Sequence, residues 1–221
     1  MSSLNHHAAI AIFVKTPGLS PIKTRLAKTL GSVAAESAYR LSVKAIEQTV
    51  KTVDADSYFA VAEQAGLRNS LWQGLECLLT GPGGLGQCQH HIYQALLQRY
   101  QQVILIGSES PQLTANRLQQ AIEALKTKQF VVGPARDGGY YLFAGKCQLS
   151  QTFWTNLSFS RSDTCDNLLA ALPAKAHLLA PLTDLDKAED IPQLHSELTA
   201  LGTILSPQQQ AVISWIETIK N

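Results

Sequence analysis

Ala8-Ala9-Ile10-Ala11-Ile12-Phe13-Val14 is apolar at every position and runs directly into Lys15-Thr16-Pro17-Gly18. A strand with one wet face alternates apolar and polar residues, so an unbroken apolar run implies burial on both faces. The run predicts a central strand of a parallel or mixed sheet with helices on both sides. Val103-Ile104-Leu105-Ile106 repeats the pattern, and Phe130-Val131-Val132 does so more briefly. Shorter strand candidates are Tyr58 to Ala62, Cys77 to Thr80, Tyr140 to Ala144 and His177 to Ala180.

Helical periodicity fills the intervals. Tyr39, Val43, Ile46, Val50 and Val53 step by fours and threes, and Leu118, Ala121, Ile122 and Leu125 share one face. Ile191, Leu194, Leu198 and Leu201 form a third such stripe. The last helix has the clearest start: Ser206 as N-cap, Pro207 in first place and Gln209 completing a capping box, with Val212, Trp215, Ile216 and Ile219 as its apolar face. Lys146 to Asp166 has weak periodicity and predicts an excursion over the active face. No repeat or linker interrupts the alternation, which predicts one α/β domain over residues 1–221.

Composition agrees. A chain of 221 residues is long enough for one large domain, and 45% hydrophobic against 16% charged residues excludes the disordered class. A net charge of +1 argues against a nucleic-acid backbone reader. No apolar run approaches the ~20 residues of a membrane span, and the start lacks the basic region and cleavage site of a signal peptide. Cys77, Cys88, Cys147 and Cys165 make no Cys-x-x-Cys pair. Reduced thiols in a cytoplasmic protein are the simplest expectation.

Open α/β sheets bind ligands beyond the carboxyl ends of their strands, so the segments after the strands carry the functional expectation. Lys15 to Leu26 places Lys15, Lys23 and Arg25 in a loop with Gly18, Pro17 and Pro21. Backbone N–H groups and cations in such a loop suit a polyphosphate, although the spacing is not that of a Walker A loop. A solvated loop with surface cations is the competing reading. Gly81-Pro82-Gly83-Gly84-Leu85-Gly86 matches G-x-G-x-x-G, and Glu109 lies 23 residues beyond it, where a ribose-binding acid belongs. That keeps an NAD-type oxidoreductase open, beside a plain Gly-rich turn. Gly107-Ser108-Glu109-Ser110-Pro111 follows the central apolar run, and a carboxylate there can hold Mg²⁺ or simply begin a turn. Asp137-Gly138 is a strong turn signal within Gly133 to Tyr141. Its glycines predict positive φ or close backbone approach. Asp184-Leu185-Asp186 presents two carboxylates to one side if extended, and one of them can complete a metal site with Glu109. Helix capping accounts for the other acidic residues up to Asp190.

Taken together, these segments resemble a bacterial GT-A-like family described as selenodomain-associated transferase-like proteins, related to nucleotidyltransferases. Ile12 to Pro17 with Lys23 to Leu26 is similar to its opening signature. Gly133-Pro134-Ala135 with Asp137 to Tyr140 is similar to its second, and Asp184-Leu185-Asp186 with Glu189-Asp190 to its acidic closing motif. The resemblance implies a GT-A-like three-layer sandwich with a mixed, mostly parallel sheet. It implies a metal-assisted glycosyl or nucleotidyl transferase acting on a nucleotide or nucleotide sugar, with an unknown acceptor. Lys15, Lys23 and Arg25 are then the phosphate ligands, and Lys23, Arg25 and Asp137 the candidate catalytic residues. Glu109 and Asp186 would hold Mg²⁺ or Mn²⁺, and Gly83, Gly84 and Gly86 would line the base or acceptor. Three segments depart from the family pattern. Its Gly-Ser-Asp-Cys-Pro reads Gly107-Ser108-Glu109-Ser110-Pro111 here, its Leu-Gly-Glu-Arg reads Leu85-Gly86-Gln87-Cys88, and its Trp-Ser-Thr gives way to Phe159-Ser160-Arg161. A catalytically altered or inactive nucleotide-binding protein on the same frame is therefore the alternative. Glu109 and Asp186, if they face each other without a cation, predict that at least one of the two has a raised pKa.

Overall fold

A computed structural model describes residues 7–220; residues 1–6 and 221 lie outside it. The first apolar run forms strand β1 (Ala8–Val14), followed by β2 (Asp56–Val61), β3 (Glu76–Leu79) and β4 (Gln102–Ile106). Strands β5 (Phe130–Pro134), β6 (Tyr140–Gly145) and β7 (His177–Leu178) complete one seven-stranded sheet of order β3-β2-β1-β4-β6-β5-β7. β1 pairs parallel with β2 and β4, β2 with β3, and β5 with β7. β6 runs antiparallel to both β4 and β5. The sheet is thus mixed and mostly parallel.

The period-two geometry of a strand sends alternate residues of β1 into two cores. Ile10, Ile12 and Val14 join Tyr39, Val43, Ile46 and Val50 of helix α2 (Ser32–Val50) and Leu118, Ala121 and Leu125 of α4 (Ala115–Thr127). Ala9 and Ala11 face Ile92, Tyr93 and Leu96 of α3 (Leu85–Leu97) and Trp154 of α5 (Gln151–Thr155). Leu168 of α6 (Thr164–Ala171) belongs to this second core. The apolar run is therefore buried on both faces, as its composition requires.

A further layer lies outside α2. Its second face is small (Ala35, Ala38, Ala45) and lets α8 (Pro207–Lys220) approach closely, with α7 (Ile191–Thr199) packed against α8. Leu194, Leu198, Val212, Trp215 and Ile216 fill that contact, with Leu26 of the short α1 (Thr24–Leu30). The capping box at α8 forms: Gln209 N–H donates to Ser206 Oγ, and Ser206 N–H to Gln209 Oε1. The buried Gln209 amide also donates to the carbonyls of Pro111 and Leu113, tying α8 to the loop after β4.

β7 is shorter than its apolar pattern suggests, but the chain keeps to the sheet edge beyond it. Leu179 N–H donates to Val132 O, and Arg136 N–H to Leu182 O. Pro181, which has no N–H, interrupts the ladder between them. Among the described residues no helix is long and apolar enough to cross a membrane.

Candidate active site

The chain proceeds from β1 outward to β2 and β3, then returns to the other side of β1 as β4. This reversal makes a topological switch point, where strand-end loops diverge and leave a crevice. A cavity of about 1120 Å³ opens there. The loops after β1, β3 and β4, the β5–β6 turn and the segment after β7 all contribute walls. Lys15, Lys23, Arg25, Gly83, Glu109, Asp137 and Asp186 line it. Gly84 and Gly86 do not.

The opening loop is held from behind. The Tyr39 hydroxyl, on the sheet-facing side of α2, accepts from Lys15 N–H and donates to Lys15 O, both at 2.8 Å. Burial pushes the Tyr39 phenol well above its ordinary range, so it stays a neutral donor. Thr16 N–H donates to Glu63 Oε2 at 2.9 Å, and Trp72 Nε1–H to Thr16 Oγ1 at 3.1 Å. Burial alone would raise the Glu63 carboxyl, but hydrogen bonds from Ser20 and Thr16 outweigh it and hold the carboxyl below its usual range. These anchors leave the exposed Lys15 side chain at the cavity mouth.

Lys23 sits at the N-cap of α1 in left-handed geometry, φ +43°, which is uncommon for a residue with a Cβ. The only other non-glycine residue in that region among those described is Ser160, φ +60°, and it too lines the cavity. The Lys23 side chain is fully buried. Its ammonium lies 2.7 Å from Glu109 Oε1 and donates to Leu185 O at 2.5 Å. Arg25 reaches Asp186 Oδ2 at 2.7 Å, with half of its side chain exposed.

The acidic segment faces the end of β4. Leu185 N–H donates to Glu109 O at 2.9 Å, and Ser110 Oγ hydrogen-bonds Asp184 Oδ1. The raised carboxyl is that of Asp184, one of the two period-two acids, and it lies outside the Glu109–Asp186 pair for which it was expected. Burial, then the facing Glu109, push it up to about 7, against the opposing effects of Ser110 and Lys23. Between the ordinary carboxylate range and about pH 7 the folded chain keeps a proton that the unfolded chain has lost. The resulting stabilisation is full below that range and disappears as pH rises through 7. Asp184→Asn should remove it, on the order of 1–4 kcal/mol. Thermal unfolding of the two proteins between pH 5 and 8 checks this; parallel profiles would contradict it.

The turn after β5 is built by Asp137, whose Oδ1 accepts from Gly139 N–H at 2.9 Å. Gly138 has φ +92°, and a Cβ there would lie 1.9 Å from the Ser162 carbonyl oxygen. Both reasons foreseen for a glycine hold at Gly138. Gly139 lies outside the left-handed region.

In the Gly-rich loop, Gly81 and Gly83 carry positive φ and line the cavity. Gly84 N–H donates to Gln87 Oε1 at 2.8 Å and opens α3. Gly86 is buried against the Trp154 carbonyl, where a Cβ would come within 2.2 Å. Its missing side chain thus serves the packing that sets Phe159 in the cavity wall. Opposite, the Tyr140 hydroxyl donates to Gln89 Oε1 at 2.7 Å. Of residues 146–166, Phe159 to Ser162 and Thr164 line the cavity, whereas Leu149, Trp154 and Leu157 pack into the second core.

Tyr39 was legible as core, but no local signal marks its hydroxyl as the clamp on Lys15. Asp184 was legible as one of an acidic pair, without the Ser110 bond that sets it against Glu109.

The backbone fold recurs among solved structures. A Desulfovibrio desulfuricans G20 protein, provisionally named a nucleotide-diphospho-sugar transferase, superposes with a TM-score of 0.83 at 23% identity, covering 97% of this chain and 98% of that one. CMP:2-keto-3-deoxy-manno-octonic acid synthetase complexed with CTP gives 0.52 at 10% identity, covering 87% and 98%. A Mycobacterium tuberculosis H37Rv protein in complex with manganese gives 0.51 at 12%, covering 85% and 97%. This chain therefore shares the α/β fold of these structures. No curated protein matches the chain. A bacterial family model matches residues 45–161, a span that holds the Gly-rich, central and second motifs but not the opening loop or the acidic segment. With more than half of its length matched, the chain belongs to the family described as "Uncharacterized protein conserved in bacteria (DUF2064)".

Proposed function

We propose that this cavity binds a nucleotide or nucleotide sugar and that the chain transfers a glycosyl or nucleotidyl group to a second substrate, assisted by a divalent cation. The observation that carries this reading is the convergence of Lys15, Lys23 and Arg25 on Glu109, Asp184 and Asp186 at the switch point of the sheet. Structural relatives solved with CTP and with manganese support it.

The donor set fits a hard cation. Its members are carboxylate oxygens, which suit Mg²⁺ or Mn²⁺. Among the described residues no group of three His, Cys, Asp or Glu is arranged to hold an ion unaided. Glu109 and Asp186, with Asp184 beside them, would therefore hold it together with phosphate oxygens of the substrate. The bound ion would offset phosphate charge as it moves onto the leaving group. Lys15, Lys23 and Arg25 would bind and orient those phosphates, the electrostatic contribution that dominates phosphoryl chemistry. Asp137, exposed at the β5–β6 turn, lines the same cavity near enough to Asp184 to add to the charge that raises it, and would act on the acceptor. Gly83, with Gly81 and Pro82, lines the wall where a base or acceptor would fit.

A thermal-shift panel of nucleoside diphosphates and their sugars, with and without Mn²⁺, tests the reading. A ligand at 100 times its Kd should stabilise the fold by about 2.7 kcal/mol; no shift with any member would reject it. Arg25→Ala should weaken nucleotide binding by about 1.5–3 kcal/mol, the scale of a charged hydrogen bond. It should barely change the ligand-free melting temperature, because a half-exposed pair with Asp186 contributes little. Calorimetry showing equal affinity in both proteins would make Arg25 a surface cation. The ion pair that already occupies one oxygen of Glu109 favours a second reading, nucleotide binding without transfer. Binding without turnover of any nucleotide sugar would support it.

A further inference from the structure

Behind the cavity, on α7, lies a carboxylate that does not line it. Glu197 Oε1 accepts from Thr183 Oγ1 at 2.9 Å, Arg136 Nε at 2.8 Å and Gln193 Nε2 at 3.0 Å. Oε2 accepts from Thr183 N–H at 3.1 Å and Gln112 Nε2 at 2.8 Å. The side chain is 14% exposed.

Four of those five bonds come from segments that run straight into the site. Thr183 precedes Asp184, Arg136 precedes Asp137, and Gln112 follows Glu109 and Ser110 by two to three positions. The fully buried Gln112 also donates to Thr183 O at 2.7 Å, closing the junction. Gln193, one turn away on α7 itself, is the only partner outside these segments. We propose that Glu197 is a positioning residue: it locks the β4, β5 and β7 loops in the one mutual arrangement that sets Glu109, Asp137 and Asp184 around the cavity.

A carboxylate is chemically required there. All five bonds come from donors, and only an acceptor with two equivalent oxygens satisfies them. An amide at this position would turn an NH₂ onto two or three donors. Burial alone would raise the Glu197 carboxyl, but the bonds from Gln193, Arg136, Thr183 and Gln112 outweigh it and hold the carboxyl at about 2. It therefore stays ionised at every ordinary pH. The proposal rests on the nucleotide reading of the cavity for its functional consequence, but the positioning itself does not.

The test compares wild type with Glu197→Gln and Gln193→Ala. Amide hydrogen exchange at Thr183, Leu185 and Arg136 reads the positioning directly. Calorimetry with Mn²⁺ plus CDP, UDP, ADP or GDP reads its consequence. Glu197→Gln should exchange those amides about 10-fold faster or more, with β1 and β2 unchanged, and bind the preferred nucleotide about 10-fold more weakly. Gln193→Ala should do neither. If Glu197→Gln does not fold, Thr183→Val, which loses only the hydroxyl donor, should move both readouts in the same direction by less. Unchanged exchange would overturn the proposal, as would faster exchange or a lower melting temperature with wild-type affinity, which marks a brace for the fold alone. Should wild type bind none of the four nucleotides, the functional reading falls while the exchange data still decide the positioning.

Discussion

Gly138→Val should lower the unfolding free energy by about 3 kcal/mol or more, well above the ~1 kcal/mol of an average point change. Two costs add. The left-handed backbone at φ +92° is hostile to any side chain and most of all to a β-branched one, at about 1–2 kcal/mol. The new Cβ must also displace the Ser162 backbone carbonyl, 1.9 Å away, where no flexible side-chain end can give. Overpacking of that kind costs about 1–3 kcal/mol. The displaced segment leads into α6, whose Cys165 N–H donates to Gly138 O at 2.8 Å, and it carries Ser160 and Arg161 of the cavity wall. Gly139→Ala should cost far less, since its closest non-neighbour is the Asp137 carboxylate at 3.1 Å. Urea denaturation of both variants checks the pair. A valine variant within 1 kcal/mol of wild type would contradict the geometry.

Glu109→Gln should abolish most of the coupling between metal and nucleotide, which for linked sites is about 1–3 kcal/mol, or 5- to 150-fold. In the ligand-free chain Glu109 shares an oxygen with the buried Lys23 ammonium, so an added cation meets a site that already holds one. Metal alone should bind weakly. Phosphates that draw on Lys23 free the carboxylate and add their own oxygens, so metal and nucleotide bind better together. The amide keeps the shape and its oxygen can still accept from Lys23, but the buried ammonium loses its counter-charge, so the fold should persist with a lower melting temperature. Glu109→Asp, one methylene shorter, should strengthen metal binding if reach sets the affinity. Mn²⁺ calorimetry on the three proteins decides; identical isotherms would exclude Glu109 as a ligand.

Much of the frame was legible because burial on both faces leaves a plain mark. Residues 8–14 and 103–106 carry no polar position at all, and they are the two strands flanking the switch point. Strand-end loops then follow from topology, and so do Lys15, Arg25 and Glu109. Contacts between distant segments were not legible. Ser110 and Asp184 stand 74 residues apart, and Gln112 and Glu197 stand 85 apart. Neither pair has a spacing that announces it. Within α7 the apolar stripe was readable, but Glu197 looks like any solvated acid on its polar side. The alanine face of α2 hid in the same way: Ala35, Ala38 and Ala45 are ordinary helix formers until α8 lies on them. Gly86 matched a dinucleotide fingerprint by letter, whereas its structural neighbour is the Trp154 carbonyl, and the loop it belongs to follows the edge strand β3 rather than the switch point.

Phosphate and cation should share one site. Mn²⁺ should be titrated calorimetrically into wild type alone and into wild type saturated with its best nucleoside diphosphate, and the nucleotide into protein with and without Mn²⁺. Each ligand should tighten the other by the same factor, at least about 5-fold, as linkage requires. Nucleotide and Mn²⁺ that bind independently, or a chain that binds neither, would contradict it.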